Sequence, residues 1–85
     1  MEKFKLTEPI KIDGVAIHEL NLRTPKVRDL LIASKKDLAD SEREVNLIAN
    51  LAEVSPEVIQ DLDLRDYLKI QSWLQNFLSA EAKKN

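Results

Sequence analysis

The chain is 85 residues long and contains no cysteine, which excludes disulfides and thiolate–metal sites. A chain of this length buries only about 60–65% of the surface that its unfolded form exposes, so association with other chains is a natural further source of stability. Thirteen basic residues nearly balance fifteen acidic ones, and no overall positive field indicates a nucleic-acid partner. The charges are unevenly distributed, with five basic and two acidic residues in 23–39 but two basic and eight acidic residues in 40–66.

Residues 4–12 alternate between apolar and polar side chains, as in a strand that is buried on one face. The apolar side carries Phe4, Leu6, Ile10 and Ile12. Asp13-Gly14 follows, and this pair closes a two-residue hairpin turn because both residues tolerate positive φ. The sequence therefore predicts a hairpin whose apolar face must be covered by other elements, since an isolated hairpin is marginally stable in water.

Residues 15–22 form the return strand, in which the apolar positions change parity halfway. One extra residue at 18–19 would restore the phase and pair Leu22 with Leu6. The extra residue would lie opposite Pro9, which has no N–H to donate to a strand ladder. We therefore predict a bulge in the second strand.

Four local signals predict where helices start after the hairpin. Each combines a capping residue with a proline or an acidic residue in the first turn. The signals are Thr24-Pro25, Ser41 with Glu44 as a capping box, Ser55-Pro56, and Asp63 with Asp66. They predict three to four helices over 24–81, the last of them from about residue 64 to residue 81.

Apolar residues at helical spacing define the faces expected to be buried. In the first helix the residues at this spacing are Val27, Leu30, Leu31, Ser34 and Leu38. Lys35 and Lys36 lie toward the end of this helix. The widest apolar face, expected in a central helix, carries Val45, Leu47, Ile48, Leu51 and Ala52. In the last helix the residues expected to face the core are Leu64, Tyr67, Leu68, Ile70, Leu74, Phe77 and Leu78.

The predicted fold class is therefore α+β, with an N-terminal β-hairpin followed by a compact cluster of three to four α-helices. We expect a single domain over 1–85, divided into the hairpin at 4–22, the helical part at 24–81 and a frayed tail at 82–85. The sequence has no run of about 18 apolar residues and no apolar secretory signal at its N-terminus, so we expect a cytoplasmic protein that does not cross a membrane.

No catalytic, cofactor or metal site is expected. His18 is the only histidine, and acid–base catalysis needs a positioned partner and a pocket. Gly14 is the only glycine, so the chain has no glycine-rich phosphate loop. The acidic residues between 53 and 66 do not follow the ligand spacing of a calcium-binding loop and are better explained as turn and cap residues. The sequence therefore predicts a protein that is not an enzyme.

The basic first helix supports one alternative function, a small DNA-associated regulatory protein. Its cations are Arg23, Lys26, Arg28, Lys35 and Lys36. They are spread around the helix, and no aromatic residue accompanies them for base stacking, whereas a nucleic-acid-binding protein needs a basic footprint on one face. Nucleic acid is therefore the less favoured partner.

Trp73 has two interpretations. It is either a half-buried residue at the margin of the core or an anchor for another protein chain, because tryptophan combines a large contact area with few rotatable bonds. In the second interpretation one helix face forms a partner-binding site that comprises Tyr67, Ile70, Trp73, Leu74 and Phe77.

Several motifs, in this order and spacing, resemble those of the small tail assembly chaperones of Mu-like contractile-tailed phages and prophages. The likeness extends from about residue 6 to residue 78. In the first half it comprises Pro9, Asp13-Gly14, Glu19-Leu20-x-Leu22-Arg23-x-Pro25 and Asp29-Leu30-Leu31. In the second half it comprises Glu44, Leu47-Ile48-Ala49, Leu51, Val54-Ser55-Pro56, Leu62, Asp66-Tyr67 and Phe77-Leu78. One departure is Glu53-Val54, where the family pattern leads us to expect a glycine.

The resemblance implies a function that residue patterns alone do not. Such chaperones bind the long, helical, aggregation-prone tape measure protein in the cytoplasm of the infected host and keep it soluble while tube subunits polymerise around it. They are then shed and are absent from the mature virion. The resemblance also implies that a translational frameshift near the end of the gene can add a C-terminal extension. Several copies along one filament would supply avidity, so we expect a homo-oligomer.

Overall fold

The computed structural model describes residues 1–33 and 40–82. Its elements are β1 (Glu2–Ile12), β2 (Val15–Leu22), α1 (Val27–Ala33), α2 (Asp40–Ala52), α3 (Pro56–Gln60) and α4 (Leu64–Ala82). This order confirms the predicted α+β fold, a hairpin followed by helices. The predictions for Ser34, Lys35, Lys36 and Leu38, for the side chains of Leu30 and Leu78, and for residues 83–85 of the tail, lie outside what the structure describes.

The hairpin turn has the predicted form. Asp13 and Gly14 have φ values of 52° and 80°, and positive φ at both central residues matches the turn to the right-handed twist of the strands. Beyond the turn, Ile12 pairs with Val15 and Ile10 with Ile17. The local sequence was therefore sufficient to predict this end of the sheet.

The hairpin has a bulge, but it lies in β1 and not in β2, where we predicted it. Lys5 pairs with Glu19 and Ile10 with Ile17, so the four residues 6–9 of β1 face the single residue His18 of β2. The extra residues are therefore in β1, and the predicted bulge at 18–19 of β2 is wrong.

The predicted pairing of Leu22 with Leu6 is also wrong, since Leu22 pairs with Glu2. Within the bulge Pro9 has no N–H to donate. The N–H groups of Thr7 and Glu8 bond a side chain of α4 instead, which explains why this part of β1 leaves the ladder.

The core lies between one face of the hairpin and the helices α2, α3 and α4. Its centre is in α2, as the wide apolar face of that helix predicted, because Ile48 and Leu51 are completely buried. The buried apolar residues are Ile10, Leu20, Leu22, Ile48, Ala49, Leu51, Ile59, Leu62, Ile70 and Leu74.

Two of the predicted helix starts differ in the structure. The helix α1 begins at Val27 rather than at Thr24-Pro25, and the N–H of Lys26 donates to the carboxylate of Asp29 at 2.7 Å. Ser41 lies inside α2, and the carboxylate of Glu44 accepts hydrogen bonds from α4 instead of closing a capping box. Asp29 and Glu44 therefore make hydrogen bonds that the local sequence did not predict.

The other two starts are confirmed. Pro56 occupies the first position of α3, preceded by Ser55 in extended conformation. Asp63 caps α4, because its carboxylate accepts the N–H of Arg65 at 2.8 Å and its carbonyl accepts the N–H groups of Asp66 and Tyr67. The side chain of Asp63 therefore satisfies one N–H group that has no partner within the helix, and its carbonyl closes the first turn.

The turn between α2 and α3 is a Schellman motif. The N–H of Val54 donates to the carbonyl of Ala49 at 3.0 Å, and the N–H of Glu53 donates to that of Asn50 at 3.3 Å. Glu53 has a φ of 60°, a left-handed conformation that favours glycine. The structure thus places a glutamate where the family pattern led us to expect a glycine.

Candidate functional site

The helix α4 is fixed against the bulge of β1 by a buried carboxylate. Asp66, which is 2% exposed, accepts the N–H of Thr7 at 2.8 and 2.9 Å and that of Glu8 at 3.3 Å. Burial alone would raise the pKa of Asp66, but the hydrogen bonds from Thr7 and Glu8 together lower it below its usual value. The ionised carboxylate therefore holds one end of the contact between β1 and α4.

On its other side α4 is joined to α2 by Glu44. The Oε1 atom of Glu44 accepts hydrogen bonds from the hydroxyl of Tyr67 and from the amide of Gln71 at 2.7 Å. Burial and the contact with Glu44 raise the pKa of Tyr67, so the phenol stays protonated and remains a donor at neutral pH. The rotation of α4 about its axis is thus fixed from both sides.

This rotation turns the five residues predicted to bind a partner toward the core. Ile70 and Leu74 are 0% and 2% exposed and belong to the core itself. Tyr67 and Trp73 are half-buried at its margin, and Phe77 is 37% exposed. The structure brings all five together on one face of α4, but a partner has access only to those at the margin.

An aromatic cluster forms at the margin where α4 meets β1. The Trp73 ring makes an edge-to-face contact with the ring of Phe4, with centroids 5.8 Å apart, and lies 6.3 Å from that of Phe77. We name Phe4, Trp73 and Phe77 the aromatic seam. Phe4 was not among the predicted site residues, because nothing local in the sequence indicates which strand residue lies beside α4.

Two further exposed apolar pairs lie on helices. Leu64 and Leu68, which are 68% and 48% exposed, form an edge of α4. The prediction that they face the core is therefore wrong, because the contacts of Asp66 and Glu44 turn them outward. Val27 and Leu31 of α1 are also exposed, although the apolar spacing predicted that they are buried.

One cation lies beside the aromatic seam. Lys69 precedes Trp73 by one helical turn, whereas Lys3 and Lys5 adjoin Phe4 in β1 and therefore project from the opposite face of the hairpin. The ammonium group of Lys3 lies 3.9 Å from the carboxylate of Glu19. Lys5 lies directly opposite Glu19 in the strand register. Over 1–33 and 40–82, Lys69 makes no ion pair.

The sequence matches a protein family over nearly its whole length. Residues 3–79 match the model of a family described as phage tail assembly chaperone proteins, E, or 41 or 14. The chain belongs to this family. The match confirms the family that the motifs indicated. Searches of curated proteins and of solved structures found no significant match.

In this tail assembly chaperone, one cation of the predicted basic footprint has an internal partner. The guanidinium group of Arg23 makes two hydrogen bonds, at 2.8 and 2.9 Å, to the carboxylate of Asp29, which also accepts from Asn50. The hydrogen bonds from Arg23, above all other contacts, lower the pKa of Asp29 to about 2. Arg23 therefore stabilises the junction of β2, α1 and α2.

The described part of the chaperone contains no group of three or more histidine, cysteine, aspartate or glutamate residues that could hold a metal ion. His18 is exposed on β2.

An open groove of about 600 Å³ lies beside the Schellman turn and is lined by Arg23, Arg28, Ala49, Asn50, Glu53, Val54 and Ser55. Within the described ranges, no helix of the chaperone has the length and apolar character needed to span a membrane.

Proposed function

We propose that this chaperone binds the tape measure protein of a Mu-like phage or prophage and keeps it soluble while the tail tube polymerises. It does so without catalysing a reaction, in the cytoplasm of the host cell, and it is absent from the mature virion. Membership in the tail assembly chaperone family supports this proposal, as does a surface suited to an amphipathic helix.

The single observation that carries the proposal is the aromatic seam. Phe77 is partly exposed, and the Trp73 ring beside it is held by its edge-to-face contact with Phe4. A ring that is already ordered loses little conformational entropy when a partner binds, so more of its contact energy appears as affinity. Tryptophan and other aromatic residues are also common among the residues that dominate binding energy. The seam therefore suits the apolar stripe of a helical partner.

One aromatic seam offers a small contact area and therefore gives modest affinity for one helical segment. We propose that several copies of the chaperone act together. A long tape measure protein offers repeated helical segments, and chains bound side by side would gain avidity if they also contact one another. Self-association, including association with a frameshift-extended form of the chain, is therefore part of the proposal.

The experiment co-expresses the chaperone with tape measure segments and measures the soluble fraction, followed by titration of the purified proteins. Trp73 is the only tryptophan, so its fluorescence reports binding by a segment that lacks tryptophan. We expect Phe77→Ser to weaken binding at least about fivefold, because truncation of an interface anchor residue typically costs at least about 1 kcal/mol. Leu64→Ser, on the opposite edge of α4, is the matched control and should leave the affinity unchanged.

Replacement of Trp73 is a less direct test. Its ring packs against Phe4 and the core, so Trp73→Ala would remove internal contacts as well as contacts with a partner. The proposal is wrong if wild-type chaperone neither binds tape measure segments nor raises their soluble fraction. Equal losses of affinity in Phe77→Ser and Leu64→Ser would instead show that binding does not depend on the seam.

A further inference from the structure

The two strands of the hairpin differ in how their outer edges are protected. β1 contains a proline, three lysines and the bulge at 6–9. In the bulge, the N–H groups of Thr7 and Glu8 bond Asp66 of α4. Prolines, lysines, bulges and a covering helix are means by which proteins keep a sheet edge from pairing with another strand. β2 is regular and contains neither lysine nor proline, so its outer edge lacks the protection that β1 has.

Only half of this edge is accessible. The two residues that flank the turn pair with each other, so they exchange both ladder hydrogen bonds. Every second residue of β2 from Val15 onward therefore bonds β1, and the residues between them direct their N–H and carbonyl groups outward. Of these, Leu20 and Leu22 are almost completely buried where α2 packs on β2. Ala16 and His18 are exposed, so the open part of the edge is the half next to the turn.

Ala16 and His18 have open hydrogen-bonding groups on this edge. Among the residues that the structure describes, none outside the hairpin donates to their carbonyl groups or accepts from their N–H groups. A strand placed antiparallel beside β2 would pair with all of these groups. The tape measure protein, as a helical partner, offers no such strand, whereas a second copy of the chaperone offers β2 itself.

The open segment is complementary to a copy of itself. With Ile17 opposite Ile17 of the second copy, Ala16 of each chain forms a hydrogen-bonded pair with His18 of the other, and all the open groups are satisfied. The close pair at the centre is then apolar. Val15 faces Glu19 of the copy, whose carboxylate lies 3.9 Å from the ammonium group of a lysine in its own β1. No like charges therefore oppose each other directly across the pair.

We propose that two copies of the chaperone associate through this open edge of β2, antiparallel and centred on Ile17, so that their hairpins form one continuous sheet. This inference rests on the self-association in the proposed function and assigns it a surface. A larger sheet is also more stable than a two-stranded hairpin. The aromatic seam lies where β1 meets α4, away from the open edge, so the pair of copies presents two seams to a tape measure protein.

Single cysteine substitutions test the register, because the chain contains no cysteine. Residues of a non-hydrogen-bonded pair have Cα atoms about 4.5 Å apart, within the range for a disulfide. In the proposed register the two Ile17 residues form such a pair, whereas the two Val15 residues are about 14 Å apart. We expect Ile17→Cys to form a disulfide-linked dimer at least about tenfold faster than Val15→Cys under mild oxidation, since association raises the effective concentration of the paired thiols. Val15 is 61% exposed, so random collision would favour the control.

Sedimentation equilibrium of the chaperone alone measures the association. His18→Pro removes an outward N–H that the ladder with β1 does not use, and the proline ring obstructs the edge. We expect this variant to keep its circular dichroism spectrum and to dimerise about tenfold or more weakly, because hydrogen bonds across the pair are lost. If the proline prevents folding, the two cysteine variants decide the outcome.

A monomeric wild-type chain, equal rates of cross-linking in Ile17→Cys and Val15→Cys, or undiminished dimerisation of folded His18→Pro would each overturn the inference. The last two results would assign self-association to another surface. The soluble fraction of tape measure protein, measured in parallel with wild-type chaperone, separates the two proposals. A raised soluble fraction with a monomeric chaperone would leave tape measure binding intact and overturn only the inference.

Discussion

Two buried aspartates hold the molecule together by different means. Each lies at the third position of a helix, Asp29 in α1 and Asp66 in α4, and both are almost completely buried. Asp29 accepts two hydrogen bonds from the cation of Arg23. Asp66 accepts the neutral N–H groups of Thr7 and Glu8, and no cation in the described part of the chain donates to it.

We name the contact of Asp29 with Arg23 the charged clamp, and the contact of Asp66 with the N–H groups of Thr7 and Glu8 the second clamp. The first depends on a cationic donor and the second on backbone donors. At Asp29 the charge is neutralised locally, and the pair joins the end of β2 to α1 and α2. At Asp66 the carboxylate compensates for backbone N–H groups that left the strand ladder, so it determines where α4 lies against β1. The aromatic seam depends on this second clamp, since it follows the same contact between strand and helix.

The largest expected effect is at the charged clamp. Asp29→Asn would leave the guanidinium of Arg23, whose side chain is 18% exposed, without its carboxylate. We expect the free energy of unfolding to fall by about 3 kcal/mol, at the lower end of the range for broken buried pairs because Arg23 keeps some contact with water. Urea denaturation monitored by Trp73 fluorescence measures this loss. The exposed Asp61→Asn is the control, and similar losses in both variants would contradict the assignment.

Asp66→Asn should cost less, about 1–3 kcal/mol, because the amide oxygen of asparagine still accepts one of the hydrogen bonds from β1. The change should also be local. Amide hydrogen exchange at Thr7 and Glu8 should accelerate more than exchange within α2. Uniform acceleration across the chain would indicate that the second clamp is not local and would remove the contrast with Asp29.

Acid should weaken the charged clamp. The folded-state pKa of Asp29, about 2, is lower than the value near 4 in unfolded chains, so the folded state binds fewer protons. This contribution to stability is complete above about pH 5 and is lost as the pH falls through about 2. The stability difference between wild type and Asp29→Asn should therefore shrink between pH 6 and pH 2.5 in urea denaturation. A constant difference would contradict this mechanism.

The smallest expected effect is at a helix end that involves no carboxylate clamp. Glu53 occupies the left-handed position of the Schellman turn, so Glu53→Gly should raise the free energy of unfolding by about 0.5–1 kcal/mol. The right-handed neighbour Ala52 is the control, since Ala52→Gly should be destabilising by a similar amount. A loss of stability in Glu53→Gly would show that the side chain has an interaction worth more than the backbone strain.

The fold class was predictable because its signals are local. Alternating apolar residues and Asp13-Gly14 require only neighbouring residues to form a hairpin, and Pro56 after Ser55 is a local signal for a helix start. The wide apolar face of α2 predicted its central position for the same reason. The order of short motifs was sufficient to indicate the family.

The placement of the candidate site could be predicted only in part. Trp73 and Phe77 do lie at an accessible margin, but Ile70 and Leu74 are in the core, and the seam includes Phe4 from the opposite end of the chain. Helical spacing places residues on one face of α4 without specifying how far that face is turned toward the core.

The sequence by itself therefore determined the elements and the family, whereas the tertiary structure decided the strand register and the exposed edges of α4. The physical reason is that both depend on hydrogen bonds between residues far apart in the chain. Asp66 binds the N–H of Thr7, 59 residues away, and so moves the bulge into β1. Together with Glu44 it also fixes the rotation of α4, which exposes Leu64 and Leu68 and leaves Trp73 half-buried beside Phe4.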